Sequence, residues 1–172
     1  MKFSLIAAVD SKMGIGKNGN LAWHLPADME YFRRVTSGNG KNAIIMGRTT
    51  WESIPNWRKP LKDRLNIVLT TQKNYFVPEG VPRAGSLAEA LAIAEAQKCE
   101  YVFVIGGAKV FVSAMAHPDC AKIYLTHIES DFDCDTFFPP VDLEKFTLAS
   151  ASEQLEEHGL KFQFALYEAL IQ

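Results

Sequence analysis

The sequence predicts an α/β fold: a mostly parallel sheet with an antiparallel edge at its C-terminal end. Three observations predict it. Five short apolar runs (Phe3 to Val9, Asn42 to Met46, Leu65 to Leu69, Glu100 to Ile105 and Ile123 to Ile128) each stop at a turn, as strands buried on both faces do. Helical patterns fall between successive runs, which is the alternation of βαβ units. The tail, Phe146 to Ala151 and Leu160 to Leu170 around QLEEHG, reads as an antiparallel hairpin whose second arm, KFQFALYEAL, alternates imperfectly.

The 172 residues suit a single domain spanning 1–172, with a sizeable core. Apolar residues make up 48% and the formal net charge is −2, so composition gives no reason to expect nucleic acid as the main partner. Cys99, Cys120 and Cys134 cannot all pair within the chain and share no short metal-ligand spacing, so they read as reduced thiols and no metal is expected. The apolar run after Lys2 stops at Asp10, too short for a signal peptide, and no stretch reaches the roughly 20 apolar residues of a membrane span. A cytoplasmic protein without a membrane partner is expected.

After the first run comes DSKMGIGKNGNLAW, a loop rich in Gly, Asn and Lys. Its Gly14-Ile15-Gly16-Lys17-Asn18-Gly19 fits G-x-G-x-x-G, but no helix begins within the glycines, so it is not a dinucleotide fingerprint. The glycines read as a source of mobility, and the loop as a candidate lid. LAWHLPADMEYFRRVT then opens a helix through Pro26. Helical spacing puts Leu25, Met29, Phe32 and Val35 or Thr36 on its buried stripe, with Asp28 on or beside it. A carboxylate there is costly unless paired. Either Asp28 turns outward and only favours the helix N-terminus, or its partner arrives with a ligand.

The second run ends in Gly47-Arg48-Thr49-Thr50-Trp51-Glu52, a glycine and hydroxyls opening a helix, with a cation suited to phosphate. A basic, proline-containing loop follows, with Arg58, Lys59, Lys62 and Arg64. The third run ends in Thr70-Thr71-Gln72, and the segment from Asn74 to Gly85 is loop with room for a short strand. Ser86 caps the helix LAEALAIAEAQ, with Glu89 at its third position. The fourth run enters Gly106-Gly107-Ala108-Lys109-Val110-Phe111, where paired glycines let phosphates approach the backbone. The fifth holds Thr126 and His127, and none of His24, His117, His127 and His158 has metal spacing. In open α/β sheets, ligands bind beyond the carboxyl ends of strands. Three anion-friendly ends on one sheet point to a long phosphate-bearing cofactor. Arg48, the paired threonines and Lys109 favour one with an extra phosphate, NADP over NAD.

Along essentially its whole length the chain resembles dihydrofolate reductases. The residues that carry the likeness are Ile6-Ala7-Ala8, GIGKNGNLAWHLPADM, IIMGRTTWESI, RKPLKDRLNIVLTTQ, VIGGAKVF, IYLTHI and DTFFP, in family order. The resemblance implies an eight-stranded sheet, four main helices, a monomer, and NADPH-dependent reduction of 7,8-dihydrofolate to tetrahydrofolate, with antifolates as inhibitors. By position it implies that Asp28 grips the pterin with Thr126 in support. It implies that Ile6, Ala8, Phe32, Ile54, Leu61 and Ile105 sandwich the substrate rings, and that Arg64 binds the glutamate tail. Arg48, Thr49, Thr50, Thr70, Thr71, Gln72 and Lys109 would hold the adenosine phosphates. Gly106, Gly107, Ala108 and Val110 would take the pyrophosphate, through a Gly-Gly cis peptide. Gly47, Leu69, Phe111 and Ala8 complete the implied cofactor contacts. Gly14 to Leu21, with Ile15, Gly16, Gly19 and Leu21 touching cofactor, would be the lid, and Trp23 would order a water near the substrate. Leu21, Trp23, Asp28 and Thr126 form the implied catalytic set. Phe111 stands where the family often has tyrosine, Asp63 where it has glycine, and Gly85 where it often has a basic residue. Two rival readings are a same-fold reductase of another pyrimidine or pterin, and a nucleotide-binding module without catalysis.

Overall fold

The computed structural model describes residues 1–171. In chain order the first half holds β1 (Phe3–Val9), β2 (Gly14–Gly16), α1 (Pro26–Ser37), β3 (Asn42–Gly47), α2 (Arg48–Ser53), β4 (Arg64–Leu69) and β5 (Arg83–Ala84). The second half holds α3 (Leu87–Ala96), β6 (Val102–Val104), α4 (Ala108–Met115), β7 (Cys120–Ile128), β8 (Thr136–Phe137), β9 (Phe146–Ala151), β10 (Leu155–Glu157) and β11 (Leu160–Ala169). The main sheet runs β10-β11-β7-β1-β6-β3-β4-β5, and β9 also pairs with β11. Because β7 occupies one edge of β11, β9 and β10 lie end to end along the other. The sheet is therefore eight strands wide, as expected. Its centre is parallel and only the β11 pairings are antiparallel.

The central strands read as unbroken apolar runs because both faces are covered. Ile45, Ile67 and Val104 pack on one face with Ala90 and Ala94 of α3 and Phe111 and Ala114 of α4. Their neighbours Ile44, Met46, Val68 and Phe103 pack on the other face with Trp51 of α2 and Phe32 of α1. No described helix is long and apolar enough to cross a membrane, no described cluster of His, Cys, Asp or Glu could hold a metal, and the three cysteines are free.

Two readings need correction. QLEEHG is not simply a connector. Leu155–Glu157 within it is β10, and the turn is His158-Gly159. Ser152 makes the break before it, its hydroxyl taking the Phe164 N–H at 3.0 Å in place of a ladder bond. The loop after β1 is not free either. Gly14–Gly16 is a strand, paired antiparallel with β8 from more than a hundred residues away.

Candidate active site

A cleft of about 580 Å³ opens at the carboxyl ends of β1, β3 and β6, between α1 and α2. Ile6, Ala7 and Ala8 of β1 line it, with Asp28, Met29, Tyr31 and Phe32 of α1 opposite. Thr49, Thr50, Ser53, Ile54, Pro55, Arg58 and Leu61 come from α2 and the segment after it. Ile105, Gly107, Ala108 and Phe111 follow β6, and Ile15, Gly16, Gly19, Asn20 and Leu21 belong to the loop above. This explains the uneven stripe of α1. Leu25 and Thr36 are buried, whereas Met29 and Phe32 are half-buried because they face the cleft.

Asp28 does not turn outward to serve only the helix N-terminus. The side chain turns inward, lines the cleft, and its Oδ1 accepts the Thr126 hydroxyl at 2.6 Å. Thr126 is 2% exposed and sits on β7 in register with Ala8 on β1. Strand alternation then sends His127 to the opposite face, where its Nε2 meets the Tyr167 hydroxyl at 3.2 Å. Burial pushes the Asp28 carboxyl above the usual carboxylate range, and the Thr126 hydrogen bond opposes this without cancelling it. A half-desolvated acid beside an apolar wall suits a flat, cationic or amidine-like ligand, whose paired N–H groups match two carboxylate oxygens.

The loop above is knotted down at its base. Asp10, 3% exposed, accepts backbone N–H groups from Gly14 at 2.7 Å, Lys12 at 2.9 Å and Phe132 at 3.1 Å. Burial alone would raise its carboxyl, but these N–H groups and the Cys134 thiol hold it below the usual range. Asp135 accepts the Asn18 N–H at 2.9 Å. Gly14 serves close approach and not mobility, since a Cβ there would lie 2.4 Å from the Cys134 Cβ. Of the loop glycines in the G-x-G-x-x-G match, Gly19 has a positive φ, 77°, in open space. Replacing Asp10 with Asn leaves at least one buried N–H facing an amide NH₂, whichever way the amide turns. Asp10→Asn is therefore expected to lose about 2–3 kcal/mol of stability in urea unfolding. Because the folded carboxyl is depressed, Asp10's own contribution is complete above about pH 4 and is lost as pH falls through the lower folded value.

At the other end the backbone is smooth. Gly106-Gly107 is a cis peptide, and Gly106 has φ 123°. Gly106 O accepts the Gly47 N–H at 2.8 Å, which joins the ends of β3 and β6. A Cβ on Gly107 would meet Thr50 Oγ1 at 3.4 Å, and one on Gly47 would meet Val110 Cγ2 at 3.2 Å. This cradle of bare backbone beside a hydroxyl fits a pyrophosphate. Register pairs Gly47 with Leu69, which sets Arg48 beside Thr70, Thr71 and Gln72 at the neighbouring strand end. Arg48, Leu69, Thr70, Thr71, Gln72, Gly106, Lys109 and Val110 are not in the cleft wall but border its β3, β4 and β6 end. Phe111 is buried and packs on Phe138, centroids 4.7 Å apart.

Arg64 also stands outside the wall, half-buried at the start of β4. Its Nε donates to Lys62 O at 2.7 Å and its Nη1 to Thr36 Oγ1 at 3.0 Å, while the Thr36 hydroxyl donates to Phe32 O at 2.7 Å. The guanidinium is thus fixed against the cleft-lining helix. Asp63 has φ 61°, the left-handed conformation that glycine adopts freely and that Asp tolerates better than most residues. Trp23 lies in a buried cluster with Leu25, Ile128 and Phe162, tilted on Phe132 at 5.3 Å, and not in the cleft wall.

Sequence reasoning did not name Tyr31, Asn20, Ser53, Pro55 or Thr136 as site residues, yet all line the cleft. Tyr31 was within reach of helical spacing, three residues after Asp28, and it stacks on Phe164 at 3.9 Å. Thr136 arrives on β8, and nothing local in the sequence announces that pairing.

A family model described as "Dihydrofolate reductase" matches residues 2–169. A "Dihydrofolate reductase" of Heliothis virescens is 43% identical over 182 residues, covering 99% of this chain and 98% of the relative. The one from Rattus norvegicus is 44% identical over 178 residues, covering 95% of both chains. A "Bifunctional dihydrofolate reductase-thymidylate synthase" of Glycine max is 40% identical over 96% of this chain, which spans 33% of that longer protein.

Proposed function

Since the chain belongs to the dihydrofolate reductase family, we propose that it reduces 7,8-dihydrofolate to 5,6,7,8-tetrahydrofolate with NADPH as the hydride donor. The observation that carries this is Asp28, inward and bonded to Thr126, in one cleft with Gly107 and Ala108 of the double-glycine bend. When bound, NADPH supplies a hydride for pterin C6, and N5 takes a proton, so that one dinucleotide is oxidised for each dihydrofolate reduced.

In this reading Asp28 accepts the N–H groups of N3 and the 2-amino group, and Thr126 holds the carboxylate in position. Ile6, Ala8, Phe32, Ile54, Leu61 and Ile105 grip the flat rings and exclude water. Ile15, Gly16, Gly19 and Leu21 cover the site, strengthening the field of Asp28. Trp23 anchors the base of that cover through its packing on Phe132. A water delivers the N5 proton while Asp28 polarises the ring. Arg48, Thr49, Thr50, Thr70, Thr71, Gln72 and Lys109 hold the adenosine phosphates, and Gly106 to Val110 the pyrophosphate. Arg64 takes the tail carboxylate. Arg64→Ala is expected to raise the KM for dihydrofolate by about 10- to 100-fold with a smaller change in kcat, because a tail contact binds ground and transition states alike.

The test is loss of NADPH absorbance with dihydrofolate, repeated with NADH. Dihydrofolate-dependent oxidation, faster with NADPH, is expected. Dinucleotide binding without turnover would favour a binding module instead.

A further inference from the structure

Arg48 is the cation that follows β3, and the cofactor reading above uses it for the adenosine phosphates. It is already engaged. Its Nη1 donates to both carboxylate oxygens of Glu52, one helical turn on, at 3.0 and 3.3 Å. The same Glu52 Oε1 accepts the Tyr75 hydroxyl at 3.0 Å. Tyr75 is held in turn. Its carbonyl accepts Arg83 Nη1 at 2.8 Å, that nitrogen also bonds the Lys73 carbonyl, and its ring packs with the cluster around Trp51 and Val81. Two residues on separate segments therefore fix the Glu52 carboxylate, and the nearby Lys59 adds positive charge. The Tyr75 hydroxyl first and Arg48 second hold the Glu52 carboxyl below the usual range, so it is charged at neutral pH.

Besides Arg48, Lys59 acts on Glu52 only through space, its Nζ donating to the Trp51 carbonyl at 3.1 Å. Arg48 directly follows β3, while β4 and β5 are followed directly by Thr70 and Gly85, further cations being Lys73, four positions past β4, and Lys109 on α4. Glu89 brings a second carboxylate to the end of β5, its Oε2 accepting the Gly85 N–H at 2.7 Å. A 2′-phosphate carries nearly two negative charges at neutral pH. To use Arg48 it must compete with Glu52 or bind beside a cation already neutralised. A free ribose hydroxyl feels neither effect.

We propose that Glu52 is a specificity-determining residue: by holding the Arg48 guanidinium, it narrows the site's preference for a dinucleotide bearing a 2′-phosphate over one without it. This rests on the reading that Arg48 faces the adenosine phosphates.

Glu52→Gln keeps the side chain's size and an acceptor for Tyr75 while removing the charge. The full chain and this variant are titrated with NADPH, NADH and adenosine 2′,5′-bisphosphate by calorimetry at low salt. The variant is expected to bind NADPH and the bisphosphate about 3- to 10-fold more tightly, the effect of one unit charge a few ångströms away in near-aqueous surroundings. NADH should change less than about 2-fold, and the gain should shrink as salt rises. Tyr75→Phe, which frees one side of Glu52, is expected to give the same sign with a smaller gain, and serves if Glu52→Gln does not fold. An unchanged NADPH affinity, or an equal gain for NADH, overturns the proposal while leaving NADPH as cofactor. A wild-type chain that binds neither dinucleotide overturns the cofactor reading, and this inference with it.

Discussion

Asp28→Asn is expected to lower kcat/KM for dihydrofolate at pH 7 by about 10²- to 10³-fold, and to recover part of that loss as pH falls. Asparagine keeps the shape of the side chain and an oxygen for the Thr126 hydroxyl. It loses the charge, and with it the match between two carboxylate oxygens and two ring N–H groups. The side chain shares the cleft wall with Met29, Phe32 and Ile6, where a charge acts through less solvent than at the surface. In the proposed mechanism its loss is felt most in the transition state, where positive charge grows on the pterin as N5 is protonated. At low pH solvent supplies that proton, so the variant should gain on the wild type. Paired pH–rate profiles check this. A variant profile that stays flat toward acid pH would remove Asp28 from the assigned role.

The same substitution should stabilise the ligand-free protein. Burial raises the folded carboxyl of Asp28. A raised carboxyl binds its proton more readily in the folded state, so stability declines as pH climbs from the unfolded value of about 3.9 through the folded one. At neutral pH the cost is fully present, and asparagine removes it. The expected gain is about 1 kcal/mol, or about 2–4 °C in melting temperature for a chain of this size. Opposite movements of activity and stability would mark Asp28 as a residue retained for function.

What could be read in the sequence follows from how far apart the interacting residues lie. The strands of the central sheet announce themselves because two-sided burial leaves each a continuous apolar run, and α1 because its stripe keeps helical spacing. Asp28 could be placed beside that stripe but not turned inward, since its partner Thr126 stands 98 positions away. The knot at the base of the loop is similar. Asp10 reaches Phe132 across 122 positions, and β2 meets β8 through two residues. Such short pairings carry no periodicity. Glycine-rich composition at Gly14 and Gly16 therefore reads as freedom, when the structure uses those glycines to let Cys134 and the Asn20 carbonyl come close. The end of β6 is the reverse case. Paired glycines between a buried strand and a helix point to close backbone approach without any distant partner.

That bend is where the second large effect is expected. Gly106→Ala should raise the Kd for NADPH by at least about 10-fold and lower stability by about 2–4 kcal/mol, roughly 4–16 °C in melting temperature. Gly106 has φ 123°, a backbone conformation that L side chains rarely adopt. An added Cβ would also lie 3.2 and 3.5 Å from the Phe111 ring and 3.5 Å from Thr50 Oγ1. Phe111 is 2% exposed and packed on Phe138, so its retreat would break that packing. The backbone must yield instead, and Gly106 O carries the bond to Gly47 N that aligns the β3 end with the β6 end. Both strand ends therefore shift together. Gly107→Ala is the control. Its φ is −87°, and its Cβ would meet only Thr50 Oγ1, at an ordinary 3.4 Å. It should cost less than about 1.5 kcal/mol and weaken NADPH mainly through lost approach to the backbone. A stability loss for Gly106→Ala as small as the one predicted for Gly107→Ala, by thermal unfolding, would mean that the bend tolerates a side chain at either position and that the strand ends are not coupled through Gly106.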